Sequence, residues 1–197
     1  MGVMDILEHE RYGMIRLFET QIHALSQLVD QDGQLFSWRR NRMAVCHRLA
    51  HHLEQGLHPG FSTQQKHTLF VDMCAPVLDE PNAMLPDIVV HNRNMREPVR
   101  LMAIVCREGY LSEQELLDLH AMKVRGNCEL ALGLAFLPNK EYILIYRADE
   151  TTIDYYHFLR NEKHCQLFRR RQVSEVSADA RQLKLDIKSR RRSSPSR

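Results

Sequence analysis

Pro86-Asp87-Ile88-Val89-Val90-His91 sets one acidic residue directly ahead of three branched apolar residues. Branched side chains suit the pleated, packed surface of a sheet, so residues 87 to 91 read as a strand with a carboxylate at its entry. Behind it, the stretch Pro76 to Pro86 holds three prolines and reads as a loop. Further back, His67 to Met73 contains Thr-Leu-Phe-Val and reads as a short strand. Ahead, Asn92 to Pro98 is a polar turn. Val99 to Cys106 is apolar throughout except for Arg100, as expected of a strand buried on both faces.

The flanking segments add helices and more strands. Ser112 with Glu115 three residues later has capping-box spacing, and opens a helix that should end near Gly126. Glu129 to Leu137 and Glu141 to Arg147 read as strands joined by a Pro-Asn-Lys turn, and Thr152 to Leu159 as a short edge strand. Near the N-terminus, residues 4 to 30 read as a helix. Ile15, Phe18, Ile22, Leu25 and Val29 recur at spacings of three and four, which makes one apolar stripe. This stripe either pairs with a second copy or a protein partner, or folds back on the chain's own sheet. After Asp32 and Gly33, a second helix from Phe36 to Gln55 turns Val45, Cys46, Leu49 and Leu53 inward, and Gly56 is a natural stop. Beyond Cys165 the pattern weakens. Val173, Val176, Leu183, Leu185 and Ile187 suggest a short docked segment, and Ser189 to Arg197 should be disordered alone.

The organisation expected is an N-terminal helix over residues 1–34, a central domain over 35–165 and a basic C-terminal extension over 166–197. The 197 residues carry a formal net charge of only +2, but the charge is unevenly spread. From residue 160 onward there are 12 Lys or Arg against 4 Asp or Glu, a net +8, while the first 159 residues hold 15 against 21, a net −6. A basic tail on an acidic body suits nucleic acid, an acidic partner or the body itself. Five cysteines, an odd number with none in a Cys-x-x-Cys pair, read as reduced thiols, with Cys46, Cys74 and Cys106 among apolar neighbours. The expectation is a cytoplasmic protein that does not enter a membrane, since no apolar run approaches a span and the N-terminus is not a secretory signal.

The order helix, three strands, helix, strand around Pro86-Asp87 resembles the PD-(D/E)xK nuclease superfamily, over roughly residues 37 to 148. The resemblance implies an α/β fold with a restriction-endonuclease-like core: a mixed central sheet flanked by helices. It implies that Asp87 takes the place of the metal-binding acid. It also implies that the following strand should supply an acid and a lysine, and here the positions hold Val105 and Arg107. Valine cannot bind a metal, and arginine keeps a charge but cannot exchange its proton. The resemblance allows an upstream carboxylate to contribute, and Asp72 would be that residue. Glu108 is the nearest replacement acid but alternates to the opposite face of the strand, and Asp118 and Lys123 on the next helix are further candidates.

Three functional readings follow. A non-catalytic nuclease-fold protein would need no cofactor and would bind nucleic acid or a protein. A metal-dependent DNA endonuclease with a rearranged site would use Mg²⁺ on Asp87 and Asp72, with Arg107 on the phosphate. A purely structural interaction module is the third reading. For nucleic acid, the strongest signals are the runs Arg169-Arg170-Arg171 and Arg190-Arg191-Arg192, with Tyr155, Tyr156, Phe158 and Phe168 upstream as bases' stacking partners or core residues. His47 and His51 share a helix face without an obvious third ligand. No Walker loop, dinucleotide fingerprint or Gly-x-Ser-x-Gly elbow is present, which argues against an ATPase, a dehydrogenase or a serine hydrolase.

Overall fold

The computed structural model describes residues 3–38, 41–61, 69–94 and 96–192, with side chains described over 13–38, 41–57, 69–94 and 96–182. Four helices and seven strands occur among them: α1 (Val3–Asp32), α2 (Arg42–Phe61), β1 (Phe70–Met73), β2 (Ile88–His91), β3 (Arg100–Arg107), α3 (Glu113–Val124), β4 (Cys128–Ala135), β5 (Tyr142–Ala148), β6 (Thr152–Leu159), β7 (His164–Gln172) and α4 (Val173–Arg192). One turn of 3-10 helix, Gly33–Ser37, joins α1 to α2. The sheet runs in chain order from β1 to β7 and is not closed. Only β3 and β4 pair in parallel, across the α3 crossover, and every other neighbour is antiparallel. The fold is therefore a mixed, open central sheet flanked by helices.

Alternation along the inner strands explains the two-sided packing. On β3, Met102, Ile104 and Cys106 join the core under α1 and α2, while Ala103 and Val105 join the core under α3 and α4. On β4, Leu130, Leu132 and Leu134 take the first face, and Ala131 and Ala135 the second. The residues facing α3 are small, which lets that helix approach closely. At Gly133, a Cβ would meet Leu111 at 2.6 Å and Tyr146 at 3.2 Å, so glycine is needed there. The capping box opens α3: the Ser112 hydroxyl accepts the Glu115 N–H, and the Glu115 carboxylate accepts the Ser112 N–H at 2.9 Å.

Several expectations are corrected. The buried stripe of α1 is Leu17, Gln21, Ala24, Leu25 and Leu28, rotated from the one anticipated; Phe18, Ile22 and Val29 flank it and Ile15 is exposed. The helix lies on its own sheet and on α2, so Leu25 is core rather than a docking residue. The second helix starts six residues later than expected because the 3-10 turn carries Leu35 and Phe36 into the core first. Thr152–Leu159 is not the edge: β7 pairs along its whole length and is itself the outer strand. Residues 166–172, expected to lie in an extension, are thus part of the sheet, and the short docked segment is instead the long helix α4. Val176 is its fully buried anchor. Residues 189–192, expected to be disordered alone, continue α4, and 193–197 lie outside the described residues. Cys74 is exposed, with a φ of 56° at the exit of β1. Among the described residues no helix is long and apolar enough to cross a membrane.

Candidate functional site

Asp87 is fixed by its backbone before its side chain makes any contact. Its N–H donates to the Ile104 carbonyl at 2.8 Å, and its own carbonyl accepts the Cys74 N–H at 3.1 Å. The residue is thus wedged between the ends of β1 and β3. The residue is 5% exposed, and both carboxylate oxygens face cationic partners. Oδ2 accepts the Cys106 backbone N–H at 2.7 Å and Arg107 Nη1 at 3.3 Å, and Oδ1 lies 3.5 Å from Arg42 Nη1.

Arg107 is held from a second side. Its Nε donates to Glu115 Oε1 at 2.5 Å, and its Nη1 also donates to the Cys106 carbonyl at 2.8 Å. One carboxylate, Glu115, therefore caps α3 and anchors Arg107. Burial raises the Glu115 pKa, but hydrogen bonds from Ser112 and Arg107 outweigh it and leave the group below its usual value. Val105, at the position where the resemblance implies an acid, is fully buried beneath α3. Glu108 is exposed and accepts the Arg42 backbone N–H at 3.2 Å, so it sits at the start of α2. A carboxylate is favourable at such a helix start.

The other expected carboxylate has its own partners. Asp72 accepts Arg93 Nε at 2.7 Å and His91 Nε2 lies 2.8 Å away. The Arg93 hydrogen bond leads in drawing its pKa down to about 2, with the His91 bond adding to it against burial. Asp118 accepts an amide hydrogen bond from Gln114 at 3.0 Å, and Lys123 donates to the Glu129 carbonyl at 3.1 Å. Neither of these bonds involves Asp87. Among the described residues one group of three potential ligands converges there instead: Cys46, Asp87 and Cys106, with ligand atoms within 4.8 Å of one another. The nearby Cys46 thiol, with burial, pushes the Cys106 thiol well above its ordinary pKa.

This arrangement does not fit Mg²⁺. A hard cation seeks six oxygens or so. Here one carboxylate is available, two guanidiniums and an amide already neutralise it, and its nearest companions are sulfur. Arg107 and Asp87 lie 3.3 Å apart, and Asp72 is tied elsewhere. Sequence reasoning missed Arg42 and the second role of Glu115. The capping-box spacing flagged Glu115 but gives no sign of a partner on β3.

The basic runs are placed as follows. Arg170 donates to Asp154 at 2.5 and 2.9 Å, and Asp154 is completely buried. Arg171 is itself buried; it bonds Glu113 at 2.9 Å, Asp179 at 2.6 Å and the Tyr155 hydroxyl at 3.3 Å. Arg171, expected to contact phosphate, is therefore a clamp joining β7, α3, α4 and β6. Arg169 is exposed, 5.7 Å over the Tyr155 ring. The side chains of Arg190, Arg191 and Arg192 lie outside the described residues. Tyr155 and Phe158 are core; Phe168 is 47% exposed and stacks on His157 at 4.0 Å. His51 is 3.1 Å from the Gln55 amide and His47 is exposed, and no third ligand joins them among the described residues. Arg48 and His52 both hold Asp32, each at 2.8 Å, at the end of α1.

Compared with known proteins, the chain matches no family model, no curated protein and no solved structure.

Proposed function

We propose that the protein is a non-catalytic member of the PD-(D/E)xK nuclease superfamily that works as a nucleic-acid-binding component. The order α2-β1-β2-β3-α3-β4 in an open mixed sheet supports this reading, because the family resemblance implies helix, three strands, helix and strand around a mixed sheet. The observation that carries the non-catalytic reading is the state of Asp87: its charge is met by Arg107, Arg42 and the Cys106 N–H. A carboxylate so placed holds the sheet end together and leaves little negative charge for a metal. Val105 removes the second ligand. The basic α4, with Arg190, Arg191 and Arg192 near its end, and the exposed Arg169 support binding of the nucleic-acid backbone.

The test combines cleavage and binding. With Mg²⁺ or Mn²⁺ and single- or double-stranded DNA and RNA, no cleavage is expected beyond that of the Asp87→Ala variant. Fluorescence anisotropy should show binding that weakens with salt. The slope should fall when Arg190, Arg191 and Arg192 are together replaced by alanine, by roughly 0.7–0.9 for each phosphate no longer neutralised. Metal-dependent cleavage abolished by Asp87→Ala would restore the endonuclease reading. Absence of binding at low salt would leave a protein-interaction module.

A further inference from the structure

A pocket of about 520 Å³ opens beside Glu108 and Phe136, the residues that follow β3 and β4. The carboxyl ends of parallel strands are a common place for ligands in open sheets, and the volume suits a small molecule. Phe36 and Phe136 line it, with ring centroids 5.8 Å apart and both nearly sealed. Trp38 also lines it, yet is 58% exposed. A large ring left open beside a buried aromatic wall offers a stacking face.

The polar groups give the pocket a pattern. Glu108 presents a carboxylate, which only accepts. Asn41 commits its amide nitrogen to the Leu35 carbonyl at 2.6 Å, which orients the amide and leaves its oxygen as the acceptor. Arg160 is the donor: its guanidinium lies 4.5 Å over the Phe36 ring and one nitrogen donates to the Leu137 carbonyl at 3.2 Å. Its Nε is buried without a hydrogen-bond partner, and burial lowers its pKa. A buried N–H left unpaired is a place where an acceptor is favoured.

We propose that this pocket binds a guanine base, stacked on Trp38. Guanine carries adjacent donors, N1–H and N2–H₂, for the Glu108 carboxylate and the Asn41 oxygen, and acceptors at O6 and N7 for Arg160. Adenine has one donor group on that edge, and uracil has one. The base comes from a free guanine nucleotide or from a single strand, and the experiment separates the two. The inference does not rest on the ancestry of the core.

Trp38 is the only tryptophan in the chain, so its fluorescence reports the pocket directly. The full-length protein is titrated with GMP, AMP, CMP and UMP, and with short single-stranded oligonucleotides that contain or lack guanine. Saturable quenching is expected with guanine, about tenfold or more tighter than with adenine. Glu108→Gln, at an exposed position, should lose that preference while keeping a cooperative circular dichroism melt, lowered slightly because the carboxylate also accepts the Arg42 N–H at the start of α2. Quenching by GMP identifies a free nucleotide as the source; quenching only by the guanine oligonucleotide identifies a strand. No saturable quenching by any probe, equal quenching by all bases, or a preference unchanged in Glu108→Gln overturns the proposal. Strand binding without base preference would remove this inference and leave the functional proposal standing; GMP binding without strand binding would do the reverse.

Discussion

Arg107 Nη1 lies 3.3 Å from Asp87 Oδ2, on a side chain only 7% exposed. The two residues face one another as an ion pair. The pair ties the start of β2 to the end of β3. Removing one partner leaves a charge in a poorly solvated place. Arg107→Met should therefore destabilise by roughly 2–4 kcal/mol at pH 7. The Asp87→Asn/Arg107→Met double variant should lose less than the two single losses combined, by about 1–3 kcal/mol. Urea denaturation of the cycle measures this. Strict additivity would show that the pair is not coupled.

Val105→Glu would place the second acid that the proposed ancestry implies. Val105 is fully buried, in one cluster with Leu111, Leu116 and Tyr146. An unpaired carboxylate there should cost roughly 3–5 kcal/mol at pH 7. Its folded pKa would be raised, so the deficit is present above the unfolded value and shrinks as pH falls toward it. A variant as stable as the wild type at pH 7 would mean that this face of β3 opens to water.

Arg171 and Arg169 should behave differently despite lying two residues apart. Arg171 bonds Glu113, Asp179 and Tyr155, and the paired groups raise its pKa against the opposing effect of burial. Arg171→Ala should lose roughly 2–4 kcal/mol, or about 4–16 °C of Tm. Arg169→Ala should change stability by about 0.5 kcal/mol or less and should weaken backbone binding to nucleic acid. Thermal melts of both variants test this, and similar losses in the two would contradict it.

Asp72 sets part of the acid limit. Its pKa is drawn down to about 2 from an ordinary 3.8, chiefly by Arg93, and its side chain is 26% exposed. A depressed folded pKa means stability that is present above the unfolded value and lost as pH falls through the folded one. The contribution, about 1 kcal/mol once solvent screening is allowed for, should persist at pH 5 and disappear between pH 4 and 2. Asp72→Asn should flatten the stability profile over that window. An unchanged profile there would place the acid sensitivity elsewhere.

Ser112→Ala removes the hydroxyl half of the capping box and one of the groups that hold Glu115. A loss of about 1 kcal/mol is expected, and the Arg107 anchor should loosen with it. If Arg107→Met destabilises the wild type and the Ser112→Ala variant equally, the cap and the ion pair are independent.

Much of the fold is legible because it rests on local rules. The branched run after Asp87, the apolar Val99 to Cys106 and the Ser112/Glu115 spacing each specify an element through backbone sterics or a contact within a few residues. The C-terminal strand β7 is not legible in this way. Its pattern is mostly exposed and polar, since it is an outer strand with little to bury, and its stability comes from pairing with β6 and from Arg170 reaching the buried Asp154. The α1 stripe shows its period in the sequence but not its angle, because Gln21 is buried and hydrophobicity does not mark it.

The sequence by itself determined the order of helices and strands from α1 to β6, the two-sided burial of β3, and the presence of Val105 and Arg107 on that strand. Those are properties of identity and short-range spacing. Only the tertiary structure decided what the charges do: that Asp87 meets Arg107 and Arg42, that Asp72 belongs to Arg93, and that Arg171 is buried. Each of these pairs joins residues well separated along the chain. Coulomb and hydrogen-bond energies depend on distance in space and on burial, and neither is written in the order of the residues.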